Sequence, residues 1–116
     1  MDKKLQTFNL DYLNEIASGD VNFKNDLIKI FLQQIPEFIA NMKKFFDEKN
    51  WENLAKEAHT AKSSVLIFGM EETGANLKKI QLLTEDNDVE KIPELLNIVL
   101  TEMEKIQNPL KEIMNS

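Results

Sequence analysis

Apolar residues recur every three or four positions along nearly the whole chain, and no segment shows the sustained alternation that is typical of half-buried strands. This spacing places the apolar side chains on one face of a helix, where they can pack against a common core. The pattern therefore predicts an all-α chain. The predicted helices cover residues 10–17, 21–48, 51–68, 71–85 and 90–114.

Turn and capping residues mark the boundaries between these helices. Gly19 and Gly69 are expected to end helices, because glycine readily takes the left-handed conformation that follows a helix C-terminus. Asp20 and Asn50 are suited to cap the helices that follow them through their side-chain oxygens. Pro36 lies inside the second helix, but the apolar stripe continues on both sides of it, so we expect a kink and not an end.

The connections between the four long helices are only a few residues long, which favours antiparallel neighbours. We therefore expect an antiparallel, up-down-up-down four-helix bundle, with the short additional N-terminal helix packed at one end. A chain of 116 residues is long enough for one hydrophobic core. A single domain over residues 1–116 is the expected organisation.

The charge of the chain limits the partners that it can bind. The formal net charge is −6, and the sequence contains no arginine. Nucleic-acid binding is not expected, because it requires clustered basic residues. Cysteine is absent as well, which excludes disulfides and thiol chemistry.

The sequence gives no sign of a membrane-targeted protein. Residues 1–10 lack the apolar core of a signal peptide, and no apolar run reaches the roughly 18 residues that a membrane span requires. We therefore expect no membrane insertion and a cytoplasmic location. The last helix has heptad-like spacing, but its short length favours packing inside the bundle over an intermolecular coiled coil, so a monomer is expected.

The third helix carries the only histidine of the chain, His59. On a helical wheel, His59 lies more than a quarter-turn from the middle of the apolar stripe, which is not a core position. The stripe consists of Leu54, Ala58, Ala61, Val65 and Phe68. The outer side holds His59 together with Glu52, Lys56, Lys62 and Ser63. A single histidine without cysteine cannot form the usual zinc or di-iron site, so no metal is expected here.

Two aliphatic residues, Leu66 and Ile67, are also predicted on this outer side. Leu66 follows His59 by seven positions, which places it on the same line along the helix. A small apolar patch beside an exposed histidine often marks a docking site on a monomeric domain, although single exposed aliphatic residues are common.

The segment His59-Thr60-Ala61-Lys62-Ser63-Ser64, followed by Gly69, resembles the signature of histidine-containing phosphotransfer (HPt) domains. The pattern of that family is roughly His-x-Leu-Lys-Gly-Ser, with a second glycine about ten positions after the histidine. Ala61 stands in place of the usual leucine, and Ser63 stands in place of the first glycine. The family folds as a four-helix bundle with an exposed histidine midway along a helix, in agreement with the elements predicted above.

The resemblance implies that the chain is a phosphoryl carrier and not a free-standing enzyme. His59 would accept a phosphoryl group from the aspartate of one receiver domain and pass it to another. The receiver would supply the aspartate and Mg²⁺, so the chain would need no cofactor of its own. The implied partners are response-regulator receiver domains and a hybrid sensor histidine kinase, and the implied process is a phosphorelay in two-component signal transduction.

The other candidate site residues are defined by their relation to His59. Lys62 lies one turn further along the helix, where its ammonium group can neutralise part of the phosphoryl charge. Ser63 is small enough to leave room for the phosphoryl group and can donate a hydrogen bond to it. Gln81, on the fourth helix, stands where the family places a polar side chain that faces the histidine. Receiver docking is expected at Ala55, Leu66 and Ile67.

Two other functions are open at the level of sequence. The chain could be a helical interaction module that binds a partner without chemistry, or a degenerate HPt domain that binds receivers but is not phosphorylated. The joint placement of His59, Lys62, a small residue at position 63 and Gly69 favours phosphotransfer. Chance readily supplies any one of these residues, but not all four at this spacing on the outer face of one helix.

Overall fold

The computed structural model describes residues 8–114, and this part of the chain contains helices and turns but no strand, as predicted. The helices are α1 (Asp11–Ala17), α2 (Val21–Asp47), α3 (Trp51–Ile67), α4 (Glu71–Glu85) and α5 (Ile92–Met114), with a 3₁₀ turn over Val89–Lys91. Across the described range, no helix has the length and apolar character needed to cross a membrane. Residues 1–7, which hold most of the segment searched for a signal peptide, and residues 115–116 lie outside that range.

The local signals that were expected to set the helix boundaries do so. The Asp20 side chain accepts a hydrogen bond of 3.0 Å from the backbone N–H of Phe23, and this bond caps α2. The Asn50 side chain caps α3 in the same way through the N–H of Asn53, at 3.3 Å. Helix α2 continues through Pro36, so the prediction of one long element is confirmed.

The predicted start of α1 and the predicted ends of α2 and α3 each differ from the structure by one residue, and two larger details differ as well. Helix α5 begins at Ile92 and not at residue 90, because the chain first makes the 3₁₀ turn. The apolar spacing within residues 10–17 predicts Leu13, Ile16 and Ala17 on one side of this helix, and of these Leu13 and Ala17 are buried but Ile16 is exposed. The reason is that α1 packs mainly against α2, and two turns of helix against one neighbour bury only a narrow stripe.

The four long helices pack around one hydrophobic core. Helices α2 and α4 each contact both α3 and α5. Phe31 of α2 stacks on Phe68 at the end of α3, with ring centroids 4.4 Å apart, which adds to the stabilisation from area burial. The stripe of α3 that was predicted to face the core is buried at all of its positions: Leu54, Ala58, Ala61, Val65 and Phe68.

Two side-chain hydrogen bonds hold α3 in a fixed rotation against α2. Ser64 Oγ donates to Gln34 Oε1 at 3.1 Å, and Asn41 Nδ2 donates to Glu57 Oε2 at 3.0 Å. Glu57 and Ser64 lie on one line of α3, roughly 150° around the helix from His59. Because these bonds tie the opposite side of α3 to α2, they keep His59 on the outward side.

Gly69 follows α3 and lies against the segment that precedes α1. Its φ of 70° is in the left-handed region that favours glycine. The backbone N–H of Asn9 donates to the carbonyl of Phe68 at 3.1 Å, which brings the two segments together. A Cβ at position 69 would lie 2.7 Å from the Cβ of Asn9 and closer still to its backbone N and O. Glycine is therefore required here for both conformation and space.

Candidate functional site

His59 lies midway along α3 on its exposed side, beside a groove between α3 and α4. The groove has a volume of about 740 Å³ and is open to solvent. Helix α3 lines it with Trp51, Glu52, Ala55, Lys56, His59 and Thr60, and α4 lines it with Gln81, Thr84 and Glu85. The imidazole is therefore accessible to a group that a second protein brings to this groove.

Gly74 lets α4 approach α3 closely beside Leu66. A Cβ at position 74 would lie 2.7 Å from Leu66 Cδ2 and 3.2 Å from Leu66 Cγ. Glycine inside a helix costs about 1 kcal/mol relative to alanine, and the closer helix contact is what offsets that cost. Gly74 therefore serves close packing between the two helices.

The structure brings Gln81 into the same groove as His59, although the two residues lie on different helices. Gln81 is half-buried, and its Nε2 donates to the Glu85 carboxylate, Oε2, at 3.4 Å. The side-chain amide of glutamine carries two N–H donors and one acceptor oxygen. Gln81 therefore brings a hydrogen-bond donor to the groove that His59 also lines.

The two lysines that flank His59 along α3 differ in whether they form an ion pair. Lys56 forms an exposed ion pair with Glu52, with Nζ and Oε2 3.7 Å apart. Lys62 is half-buried and makes no ion pair within residues 8–114. The ammonium group of Lys62 is therefore available to a new anion on the same side of the helix.

The hydroxyl of Ser63 faces its own helix. Ser63 is exposed, and its Oγ donates to the backbone carbonyl of His59 at 3.4 Å. Thr60 makes the same kind of bond to the carbonyl of Lys56, at 3.1 Å. Such bonds to the preceding turn are common for serine and threonine within helices. The Ser63 hydroxyl would need to rotate about χ1 to reach a group bound to the imidazole.

The expected docking residues differ in their exposure. Ala55 lines the groove, and Leu66 is 42% exposed. Ile67 is only partly exposed and packs against the core, so the prediction of two exposed aliphatic neighbours is wrong for Ile67. Successive helix positions lie roughly 100° apart. That rotation carries Ile67 toward the side on which Ser64 bonds to α2, and the side chain is covered there.

Several groove residues were not identified from the sequence as site residues. Trp51 was assigned only to a helix start, and its ring meets that of Phe46 edge-on, with centroids 5.7 Å apart. Thr84 is buried, but it also lines the groove. Glu85 was assigned only to the end of the fourth predicted helix. Periodicity predicts which face of one helix is buried, but not the register between two helices. The residues that face each other across the groove could therefore not be predicted from the sequence pattern.

The sequence matches the model of the Hpt domain over residues 26–109, a range that contains every groove residue and Leu66. The chain belongs to the Hpt domain family. The match covers well over half of the chain, and the resemblance seen in the segment around His59 is thereby confirmed.

The fold supports this assignment. Among solved structures, the chain is similar to the crystal structure of the HPT domain from the Hpt sensor hybrid histidine kinase from Shewanella, with a TM-score of 0.77. The two sequences are 20% identical, and the alignment covers 96% of each chain. At this identity the similarity establishes a shared fold. A search of curated proteins gave no match.

Membership of the Hpt family supports a role as a phosphotransfer module in two-component signalling, with receiver domains and histidine kinases as partners. Hpt domains are phosphocarriers and not true enzymes. Within residues 8–114, no group of three or more histidine, cysteine, aspartate or glutamate side chains is placed to hold a metal ion.

Ser63 gives a direct test of how much space this Hpt domain needs beside His59. Replacing Ser63 with leucine should slow phosphoryl transfer to His59 by more than about tenfold, because a branched side chain one turn from the imidazole obstructs the approach of a partner. The rate of label transfer from a phosphorylated receiver measures the effect. Ser63→Gly is the matched control and should transfer at close to the original rate. Equal rates for the leucine variant and the unchanged chain would refute the steric role.

Proposed function

We propose that His59 accepts a phosphoryl group from the phosphorylated aspartate of one receiver domain and passes it to the aspartate of another. In the first step, the unprotonated imidazole nitrogen attacks phosphorus. A P–N bond forms while the P–O bond to the aspartate breaks, and the carboxylate leaves. In the second step, the aspartate carboxylate of another receiver attacks phosphorus, the P–N bond breaks, and the imidazole is regenerated.

One observation carries this proposal: the only histidine of the chain is exposed beside a groove that also holds Gln81, within the segment that matches the Hpt family. An exposed neutral imidazole is a competent nucleophile near neutral pH. Bound phosphoryl oxygens would carry concentrated negative charge in the groove that Gln81 lines, one helical turn from Lys62, which makes no ion pair within residues 8–114. Hydrogen-bond donors and cations that are already in place at such a position stabilise the transferred group.

The receiver is proposed to dock over the groove, with Ala55 and Leu66 in the contact surface and Ile67 at its margin. The docked receiver would contribute the aspartate and the Mg²⁺ that neutralises the phosphoryl group during transfer. This division of labour is consistent with the family role of a carrier. It explains how the chain can function with a single histidine and with no nucleotide-binding loop in its sequence.

The same proposal includes an antiparallel, up-down-up-down arrangement of the four long helices in a single, monomeric domain. The cyclic order of helix contacts, α2 to α3, α3 to α4, α4 to α5 and α5 to α2, supports this arrangement. The short connections between consecutive helices support it as well, since they leave little chain for a long crossover.

Lys62→Ala should slow phosphoryl transfer by about threefold to tenfold, because it removes the unpaired cation one turn from His59. The fold should be retained, since the side chain makes no ion pair within the described range. Transfer rates from a phosphorylated receiver provide the measurement. Lys105→Ala is the matched control: it removes the same charge from an exposed position on α5, away from the groove. A similar loss in both variants would attribute the effect to net charge and contradict a local role for Lys62.

The proposed function is tested by incubating the purified chain with a panel of receiver domains that carry ³²P on their aspartates. We expect the label to appear on the chain in an acid-labile, base-stable form, which is the behaviour of phosphohistidine. Binding of receivers without any such label would support the degenerate HPt alternative. The absence of both binding and label with every receiver would overturn the proposal.

A further inference from the structure

The groove beside His59 contains a carboxylate that has no evident place in binding a phosphoryl group. Glu85, at the end of α4, is exposed and lines the groove with His59 and Gln81. Its Oε2 accepts a hydrogen bond from Gln81 Nε2 at 3.4 Å. No lysine of residues 8–114 pairs with Glu85, whereas the second carboxylate of the groove, Glu52, is paired with Lys56.

Phosphorylation of His59 would place about two negative charges in the groove that this carboxylate also lines. Like charges that share a site repel each other, and the repulsion is larger at a groove between helices than in bulk water. The carboxylate also occupies one of the two N–H donors of Gln81, which leaves only the other for phosphoryl oxygens. Both effects lower the stability of phosphohistidine relative to the free imidazole.

We propose that Glu85 tunes the phosphoryl-transfer equilibrium, lowering the stability of phosphohistidine at position 59 so that the group is readily passed on. This inference rests on the proposed function for its biological meaning. A carrier that bound its phosphoryl group too tightly would retain it, so a repulsive carboxylate beside the imidazole favours discharge to the next aspartate.

The test uses potassium phosphoramidate as the phosphoryl donor, because it needs no receiver. The imidazole nitrogen attacks phosphorus, the P–N bond of the donor breaks, and ammonia leaves with a proton from the solvent. The fraction of chain that carries phosphohistidine at fixed donor and ammonium concentrations is read by ³¹P NMR. We expect a charge-ordered series: Glu85→Asp stays close to the original fraction, Glu85→Gln raises the ratio of phosphorylated to free chain by about threefold, and Glu85→Lys raises it further.

Glu94→Gln is the matched control, because it removes the same charge from an exposed position on α5 that does not line the groove. It should leave the ratio unchanged. An equal rise in Glu94→Gln, or no rise in Glu85→Gln, would overturn the proposal.

The chemical donor also separates this inference from the proposed function. If no receiver exchanges phosphoryl groups with the chain, the relay fails, but the ordered response to phosphoramidate still decides the role of Glu85. If receivers do exchange label but the ratio of phosphorylated to free chain is the same for every residue at position 85, the relay is supported and the tuning role is rejected.

Discussion

Replacing His59 with glutamine should reduce phosphorylation of the chain by receivers to background. The reason is chemical: the amide nitrogen of glutamine has no available lone pair with which to attack phosphorus. His59 is the only histidine in the sequence, so no second imidazole can take over the reaction. The measurement is the acid-labile label on the chain after incubation with a phosphorylated receiver. Any histidine affinity tag has to be removed first, because it would reintroduce imidazoles.

The loss in His59→Gln should occur without loss of the fold. His59 is exposed on α3, and glutamine is at least as good a helix former as histidine, so the free energy of unfolding should change by less than about 0.5 kcal/mol. Urea denaturation monitored by circular dichroism checks this. Label that persists in a folded His59→Gln variant would show that another group carries the phosphoryl and would contradict the assignment of the site.

The second large effect concerns stability. Gly69→Ala should lower the free energy of unfolding by about 3 kcal/mol. About 1–2 kcal/mol comes from forcing a residue with a Cβ into the left-handed region, where the φ of Gly69 is 70°. The remainder comes from displacing the segment at Asn9, whose backbone atoms occupy the space that the new Cβ would need. Urea denaturation gives the value.

Gly19→Ala is the matched control for this prediction. Gly19 has a φ of 83°, so alanine pays the same conformational cost, but nothing lies within 4 Å of the added Cβ. The control should lose only about 1–2 kcal/mol. Equal losses at the two positions would show that contact with Asn9 contributes nothing and would contradict the account of this junction.

The sequence was sufficient to predict the order of the helices and the buried face of α3. Apolar spacing decides which side of a helix is buried, and side-chain caps such as Asp20 and Asn50 act locally, so both can be recognised without a structure. The outward position of His59 follows from the same periodicity, because the five core residues of α3 define the opposite side.

The features that could not be predicted depend on contacts between helices. Ile67 was assigned to the outer side, but packing against the core covers it, and a wheel of α3 alone contains no information on that neighbour. Glu85 was predicted only as the end of the fourth helix, whereas the register of α4 against α3 places it in the groove with His59. Gln81 was singled out only through the family resemblance, and the structure places it in the same groove as His59.

The central claim is that His59 passes its phosphoryl group on to a second receiver and does not retain it. The most direct test follows the label after the chain has been phosphorylated on His59 and separated from its donor. On addition of a second, unphosphorylated receiver with Mg²⁺, the account predicts that the acid-labile label leaves the chain and appears on that receiver as a base-labile acyl phosphate. Label that remains on His59, or that is released only as inorganic phosphate with every receiver tested, would contradict it.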